Sequence, residues 1–225
     1  MLKMYDQMKV NIIRSTQDPG WIVKLASDIT QKERFTNKEA SENLLKFLIT
    51  ANHTSLLEHI STTWMIKDVS RSFLAQITRH RMASYTAASQ HYQDYRDYPC
   101  IVGKSEHTEY VREVLEDLDD DYKRLVDHGL APQEARQVLP NAKAVNILWT
   151  INVRSLINFL NLRLCERNVE EMLIFAKKVY KICLAWWPEV FSHVGPDCFM
   201  LGKCRQGRMM AETCKENGPP LMAAI

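Results

Sequence analysis

Residues 79–93, RHRMASYTAASQHYQ, concentrate the side chains that hold anions. Arg79, His80 and Arg81 stand in a row. The hydroxyls of Ser84, Tyr85, Thr86 and Ser89 follow, and then His91. A core segment would not carry Arg-His-Arg, because each buried charge needs a partner. A solvated turn has no use for so many hydroxyls behind its cations. Consecutive helical residues point about 100° apart. Arg79 and Arg81 therefore cannot grip one atom, and would contact different parts of an extended ligand or two ligands. Hydroxyls at 84, 86 and 89, with the backbone N–H groups of a non-helical loop, suit a phosphate. The bland readings are a helix end whose cations face the C-terminal dipole and a Ser/Thr-rich turn.

Further polar groups recur at spacings that suggest ligands. Arg136 lies in EARQVLP between apolar Ala135 and Val138, bounded by Pro132 and Pro140. It reads as positioned for a ligand, or else as an ion pair with the acidic run DLDD. NVRSLINFLNLR carries Asn152, Arg154, Asn158, Asn161 and Arg163 in an otherwise apolar helix. Arg154 and Asn158 share a face at i,i+4. Carboxamides match the edges of pyrimidine and flavin rings, and a guanidinium can polarise a uracil carbonyl. An internal polar network is the alternative. In ANHTSLLEHI, Ser55 and Glu58 have capping-box spacing, beside His53 and His59. These two histidines are six apart and do not share a helix face, so no metal is expected there.

Those residues need a scaffold, and the pattern supplies one. MKVNIIRS (8–15), EHISTTWMIKD (58–68) and AVNILWTIN (144–152) alternate like strands. In the second, Ile60, Thr62, Trp64 and Ile66 oppose Ser61, Thr63 and Met65, which predicts one wet or interfacial face. Helices are predicted over 37–50 with Asn37 as N-cap and Ala40, Leu44, Leu45 and Leu48 inward, and from near Ser70, with Arg79, His80 and Arg81 at or just past the C-terminal end of the second. A long helix is predicted over 105–129, with Tyr110, Val114, Leu115, Leu118 and Tyr122 inward and Gly129 as the stop. Short 132–140, 153–164 and 169–187 complete the set. The order predicts an α+β fold, one domain with a small, mostly antiparallel sheet packed with long helices. Residues 1–190 form the expected catalytic domain and 191–225 a cysteine-containing tail.

Bulk properties narrow the function. A net charge of +2 over 225 residues gives no general attraction to nucleic acid. No apolar run has the length of a membrane span, and the N-terminus lacks a signal-peptide core. Cytoplasmic placement is expected, with the six cysteines as reduced thiols. Cys198, Cys204 and Cys214 crowd the tail, spaced unlike a C-x-x-C zinc pair and one short of four ligands. A packed or mobile tail is therefore the expectation.

Taken together, these blocks resemble the flavin-dependent thymidylate synthases, the ThyX family. Arg79, His80, Arg81, Ser84 and Ser89 match its signature R-H-R-x-x-S-x(4)-S-x-R, and GLAPQEARQVLP and NVRSLINFLNLR look like two later family blocks. The similarity runs through most of residues 40–190. The resemblance implies a homotetramer with sites between subunits. It also implies FAD, methylenetetrahydrofolate as one-carbon donor, NADPH as reductant, and conversion of dUMP to dTMP. It implies substrate contacts from Gln76, Arg79, Ser89, Arg136 and Arg163, with His91 at the phosphate. It places Ser55, Glu58, His80, Arg81, Asn152, Arg154 and Asn158 on the flavin. Arg163 and His53 are the catalytic candidates.

The chain departs from that pattern in four places. His91 stands where the signature ends in Arg, and Thr86-Ala87 where Asn-Glu is usual. Arg167 stands where a His is usual, beside Cys165 at a usually acidic position. A second reading follows, a folate-dependent pyrimidine nucleotide hydroxymethylase working without flavin. In that chemistry Cys165 is either a nucleophile or a buried inert thiol. A non-catalytic nucleotide-binding relative is the third.

Overall fold

Alternation decides the sheet. In β3 (Ser61–Ser70), Thr62, Trp64 and Ile66 are buried while Ser61 and Lys67 are exposed. In β6 (Ala144–Asn152), Val145, Ile147, Trp149 and Ile151 are buried and Leu148 is exposed. The two strands run antiparallel: the Thr62 hydroxyl donates to the Ile151 carbonyl at 3.1 Å, and the Thr63 and Thr150 hydroxyls meet at 3.0 Å. The order is β2 (Lys9–Ser15), β3, β6, β4 (Ala83–Ala87). The wet-faced strands and the α+β class are as the sequence predicts. A second sheet is not: β1 (Leu2–Met4) pairs in parallel with β5 (Cys100–Val102), Leu2 opposite Cys100. Strands of three residues are too short to show a period.

This is a computed structural model, and it describes residues 1–31, 44, 47–49, 51, 53–207, 212 and 214. The chain divides into two compact units, Met1–Asn11 with Trp64–Trp149, and Ile12–Thr63 with Thr150–Ile225. In the first, Trp64 and Trp149 pack with ring centroids 6.4 Å apart beside buried Ile66, Phe73 and Ile147. In the second, buried Leu57, Leu156, Phe159, Met172 and Phe175 form the centre, with Phe159 and Phe175 edge to face at 5.9 Å.

Helices then place the polar residues. α1 (Pro19–Gln31) opens on proline, which suits a first turn that has no use for that N–H; the sequence reading passed over this helix. The helix expected over 37–50 falls mostly outside the described residues, Asn37, Ala40 and Leu45 included; Leu48 is buried. α2 (Arg71–Ile77) starts at Ser70, whose Oγ accepts the Phe73 N–H at 2.9 Å. It ends before Arg79, so the Arg-His-Arg run lies just past its C-terminus, as expected.

α3 (Thr108–Asp127) corrects the predicted apolar face: Tyr110 and Val114 are exposed, and only Leu115 and Tyr122 are fully inward. The helix rests on two small clusters, Leu115 against Cys100 and Val102, and Tyr122 against Tyr95 and Ala135. Such anchoring needs only a narrow stripe. Gly129, at φ 91°, ends the segment as predicted. α4 (Pro132–Ala135) runs into a 3-10 turn, Arg136–Val138. α5 (Val153–Arg163), α6 (Glu170–Trp186), α7 (Pro188–Phe191) and α8 (Asp197–Leu201) follow. No helix among the described residues is long and apolar enough to cross a membrane.

Because the Ser70 cap fixes where α2 begins, Ser70→Ala is expected to cost about 1 kcal/mol. The check is a urea midpoint lowered at unchanged slope; an unmoved midpoint would show that Ser70 stabilises nothing as a cap.

Candidate active site

In the first unit the site elements follow the end of α2. The Arg79 N–H donates to the Gln76 carbonyl at 3.3 Å and the His80 N–H to the Ile77 carbonyl at 3.1 Å. Arg79 and Arg81 point to solvent, and Gln76 and His80 are half-buried. Residues 84–86 are not in a loop, as the sequence reading had them, but in β4. Strand alternation sends Ser84 and Thr86 outward and Tyr85 inward. The Tyr85 hydroxyl reaches the carbonyls of Ile77 at 2.8 Å and His80 at 2.9 Å. It staples β4 to the end of α2 and so holds the Arg-His-Arg backbone in place. Burial pushes its pKa up to about 12, so it stays a neutral donor near pH 7. Tyr85 is therefore a positioning residue and not a phosphate ligand; its sequence neighbours gave no sign of that.

The loop after β4 is ordered by aromatics. The Tyr95 N–H donates to the Tyr122 hydroxyl at 3.2 Å, and the Tyr95 and Tyr98 rings stack at 4.4 Å. Ser89 Oγ accepts the His91 N–H at 3.2 Å, which leaves its own hydrogen to donate to a ligand. His91 is exposed, edge-on to Tyr92 at 4.2 Å. Arg136 is exposed on its 3-10 turn and makes no ion pair with the described residues of α3, against the bland reading. Those acids serve Lys123, Arg124, Lys143 and Arg96.

In the second unit the polar residues of α5 are disposed around one helix. Asn152 is its N-cap, with Oδ1 accepting the Ser155 N–H at 2.8 Å. Arg154 pairs with Glu58, which lies on the 3-10 helix Thr54–His59. The capping box predicted for Ser55 and Glu58 does not form: His53 is the cap residue and gives no side-chain cap bond, while Glu58 is drawn to Arg154. His53 and Ser55 are exposed. Asn161 accepts the Gly195 N–H at 3.1 Å. Arg163 donates to Asn168 Oδ1 at 3.0 Å, and Asn168 Nδ2 donates to the Leu162 and Cys165 carbonyls, both at 2.9 Å. Asn168 thus closes the end of α5 and orients the guanidinium. The sequence reading missed it, since nothing local marks an Asn that serves an Arg five positions earlier.

A flavin fits part of this donor set. Arg154 and Asn158 offer a guanidinium and a carboxamide on one exposed helix face, the donors a ring edge or a pyrophosphate takes. Asn152 has committed its oxygen to the cap and retains only its amide hydrogens. The four polar positions of α5 with internal partners also realise the network alternative in part.

A small antiparallel sheet packed with helices, some of whose ends carry cations and carboxamides, defines an α+β scaffold. The comparisons with known proteins sharpen that class. The family model described as "Thymidylate synthase complementing protein" matches residues 11–189. A flavin-dependent thymidylate synthase of Geobacter sulfurreducens is 35% identical over 216 residues, 90% of this chain and 93% of the relative. One of Saccharolobus solfataricus is 30% identical over 205 residues, 86% and 79% of the two chains. The solved structure of a UMP/dUMP methylase, PolB of Streptomyces cacaoi bound with 5-Br dUMP, matches in fold with a TM-score of 0.73 at 22% identity, covering 85% of this chain and 96% of that one. The chain belongs to the Thymidylate synthase complementing protein family.

Proposed function

We propose that this protein is a flavin-dependent thymidylate synthase that transfers a one-carbon unit from methylenetetrahydrofolate to C5 of dUMP, in the cytoplasm. The observation that carries the reading is the 35% identity to a protein of that name across nine-tenths of both chains. Within it, Arg163 and Arg136 hold the pyrimidine, Gln76 and Arg79 position the nucleotide, and Ser89 with His91 meets the phosphate. Arg163 polarises the uracil carbonyl, which makes C5 nucleophilic without a covalent enzyme thiol. His53 is a further catalytic candidate on the cofactor side. Ser55, Glu58, His80, Arg81, Asn152, Arg154 and Asn158 are the residues that would hold FAD. When bound, FAD reduced by NADPH supplies the hydride that turns the transferred methylene into a methyl group.

A homotetramer fits the same reading. The open faces of β3 and β6 and the exposed Tyr110, Val111 and Val114 of α3 are surfaces a second copy would cover. In such an assembly a site can draw residues from more than one chain.

The hydroxymethylase reading keeps one observation of its own. Arg167, where the family pattern has a His, is hydrogen-bonded to Gln206. A cation therefore occupies that place. Product analysis with labelled methylenetetrahydrofolate and dUMP decides, together with flavin released by heat and read by fluorescence. Retained flavin and a methylated product are expected. A flavin-free protein making 5-hydroxymethyl product would install the rival, and no transfer would leave a nucleotide-binding relative.

A further inference from the structure

Three consecutive residues after α5 face three different partners, all within the second unit. Glu166 pairs with Lys177 of α6, whose Nζ donates to its Oε1 at 3.1 Å. Arg167 donates to the Gln206 carboxamide in the tail. Asn168 accepts from Arg163 Nη1 at 3.0 Å. The first two side chains reach outward to other elements, and the third reaches back to the guanidinium.

The turn that carries them is closed on itself. The Asn168 N–H donates to the Cys165 carbonyl at 3.0 Å, and the Asn168 side chain donates to the Leu162 and Cys165 carbonyls, both at 2.9 Å. Fully buried Leu164 roots it. So short a turn moves as one piece, and a shift at Glu166 or Arg167 is a shift at Asn168. Hydrogen bonds weaken steeply as their angle opens. Arg163 is therefore aimed only as well as the turn is held.

The tail is built to hold its side of this contact. The Gly195 N–H donates to Asn161 Oδ1 at 3.1 Å, which fastens the tail to α5 two residues before Arg163. Gly202, at φ 67° in the left-handed region that favours glycine, turns the chain after α8. Arg205 Nε meets Asp197 Oδ2 at 3.7 Å across that bend, and the Gln206 N–H donates to Cys204 Sγ at 3.4 Å. Gln206 is half-buried against Arg167 as a result. The two outer contacts are part-exposed, where solvent leaves such pairs little effect on stability. What they restrict is direction.

We propose that Glu166, Arg167 and Gln206 are positioning residues for Arg163, acting through Asn168. The inference rests on the reading in which Arg163 holds the pyrimidine. Gln206 lies beyond the matched residues 11–189, so a stretch of tail outside the family match sets the substrate arginine. Each anchor leaves the guanidinium less freedom to lose when the nucleotide binds.

The test is calorimetry of dUMP binding to the full chain and to Gln206→Ala, Glu166→Gln and Asn168→Ala, with Arg163→Ala as reference. Gln206→Ala and Glu166→Gln should each raise Kd roughly 2- to 10-fold, with the urea midpoint unmoved. In an Asn168→Ala background neither change should have a further effect, since the link to Arg163 is already cut. Exchanging the charges, Glu166→Lys with Lys177→Glu, should bind dUMP better than Glu166→Lys alone. Unchanged Kd in both anchor variants, or losses that persist in full in the Asn168→Ala background, would overturn the inference while leaving Arg163 in the site. Wild-type affinity in Arg163→Ala would overturn the reading beneath it, and the inference with it.

Discussion

Arg163→Ala is expected to weaken dUMP binding by about 2–4 kcal/mol, roughly 30- to 1,000-fold in Kd. One-carbon transfer should fall at least as far. The size comes from what the guanidinium does in the proposed site. It pairs with a ligand carbonyl that is desolvated on binding, and an unpaired carbonyl bears its full desolvation cost. The guanidinium is also pre-set, because Asn168 accepts its Nη1 at 3.0 Å while its own amide is anchored on two carbonyls. Little side-chain freedom is then left to lose on binding. Arg163→Lys keeps the charge but loses the planar fork, and should fall between wild type and Ala. Asn168→Ala leaves the guanidinium chemically intact and unheld, so it should raise Kd by less than Arg163→Ala. Calorimetry on the three variants gives the order. Wild-type affinity in Arg163→Ala would remove Arg163 from the site.

The largest expected effect on stability lies at Asp119. Lys143 is 1% exposed, and its Nζ meets Asp119 Oδ1 at 2.6 Å. Removing one partner of a buried pair strands the other charge in a medium that solvates it poorly. Asp119→Ala is therefore expected to destabilise the fold by about 3–5 kcal/mol. The consequence should reach the Arg-His-Arg segment, because the Lys143 carbonyl accepts the Arg71 N–H at 3.2 Å where α2 begins. Replacing both partners by apolar groups of similar volume, Asp119→Leu with Lys143→Met, should recover most of the loss. Urea unfolding of the single and double variants tests this. A single variant within about 0.5 kcal/mol of wild type would mean that Lys143 finds water instead of standing stranded.

Much of this protein was legible because its signals are local and periodic. Val145, Ile147, Trp149 and Ile151 announce a strand whatever lies beside them, since alternate residues of a strand share a face. Ser70 announces a helix start, since its hydroxyl satisfies an N–H three residues on. The motif run through Ser89, the Arg136 block and the Arg163 block placed the chain in its family from sequence alone.

Tertiary structure decided the rest, and in each case the deciding partner is distant in sequence or carries no pattern. Ser55 and Glu58 had capping-box spacing, yet Glu58 is turned to Arg154, 96 residues away in sequence. Tyr85 read as one hydroxyl among several until β4 turned it inward onto the end of α2. Local periodicity tells each residue which way to face. What it faces is set by packing, which a short window of sequence does not contain.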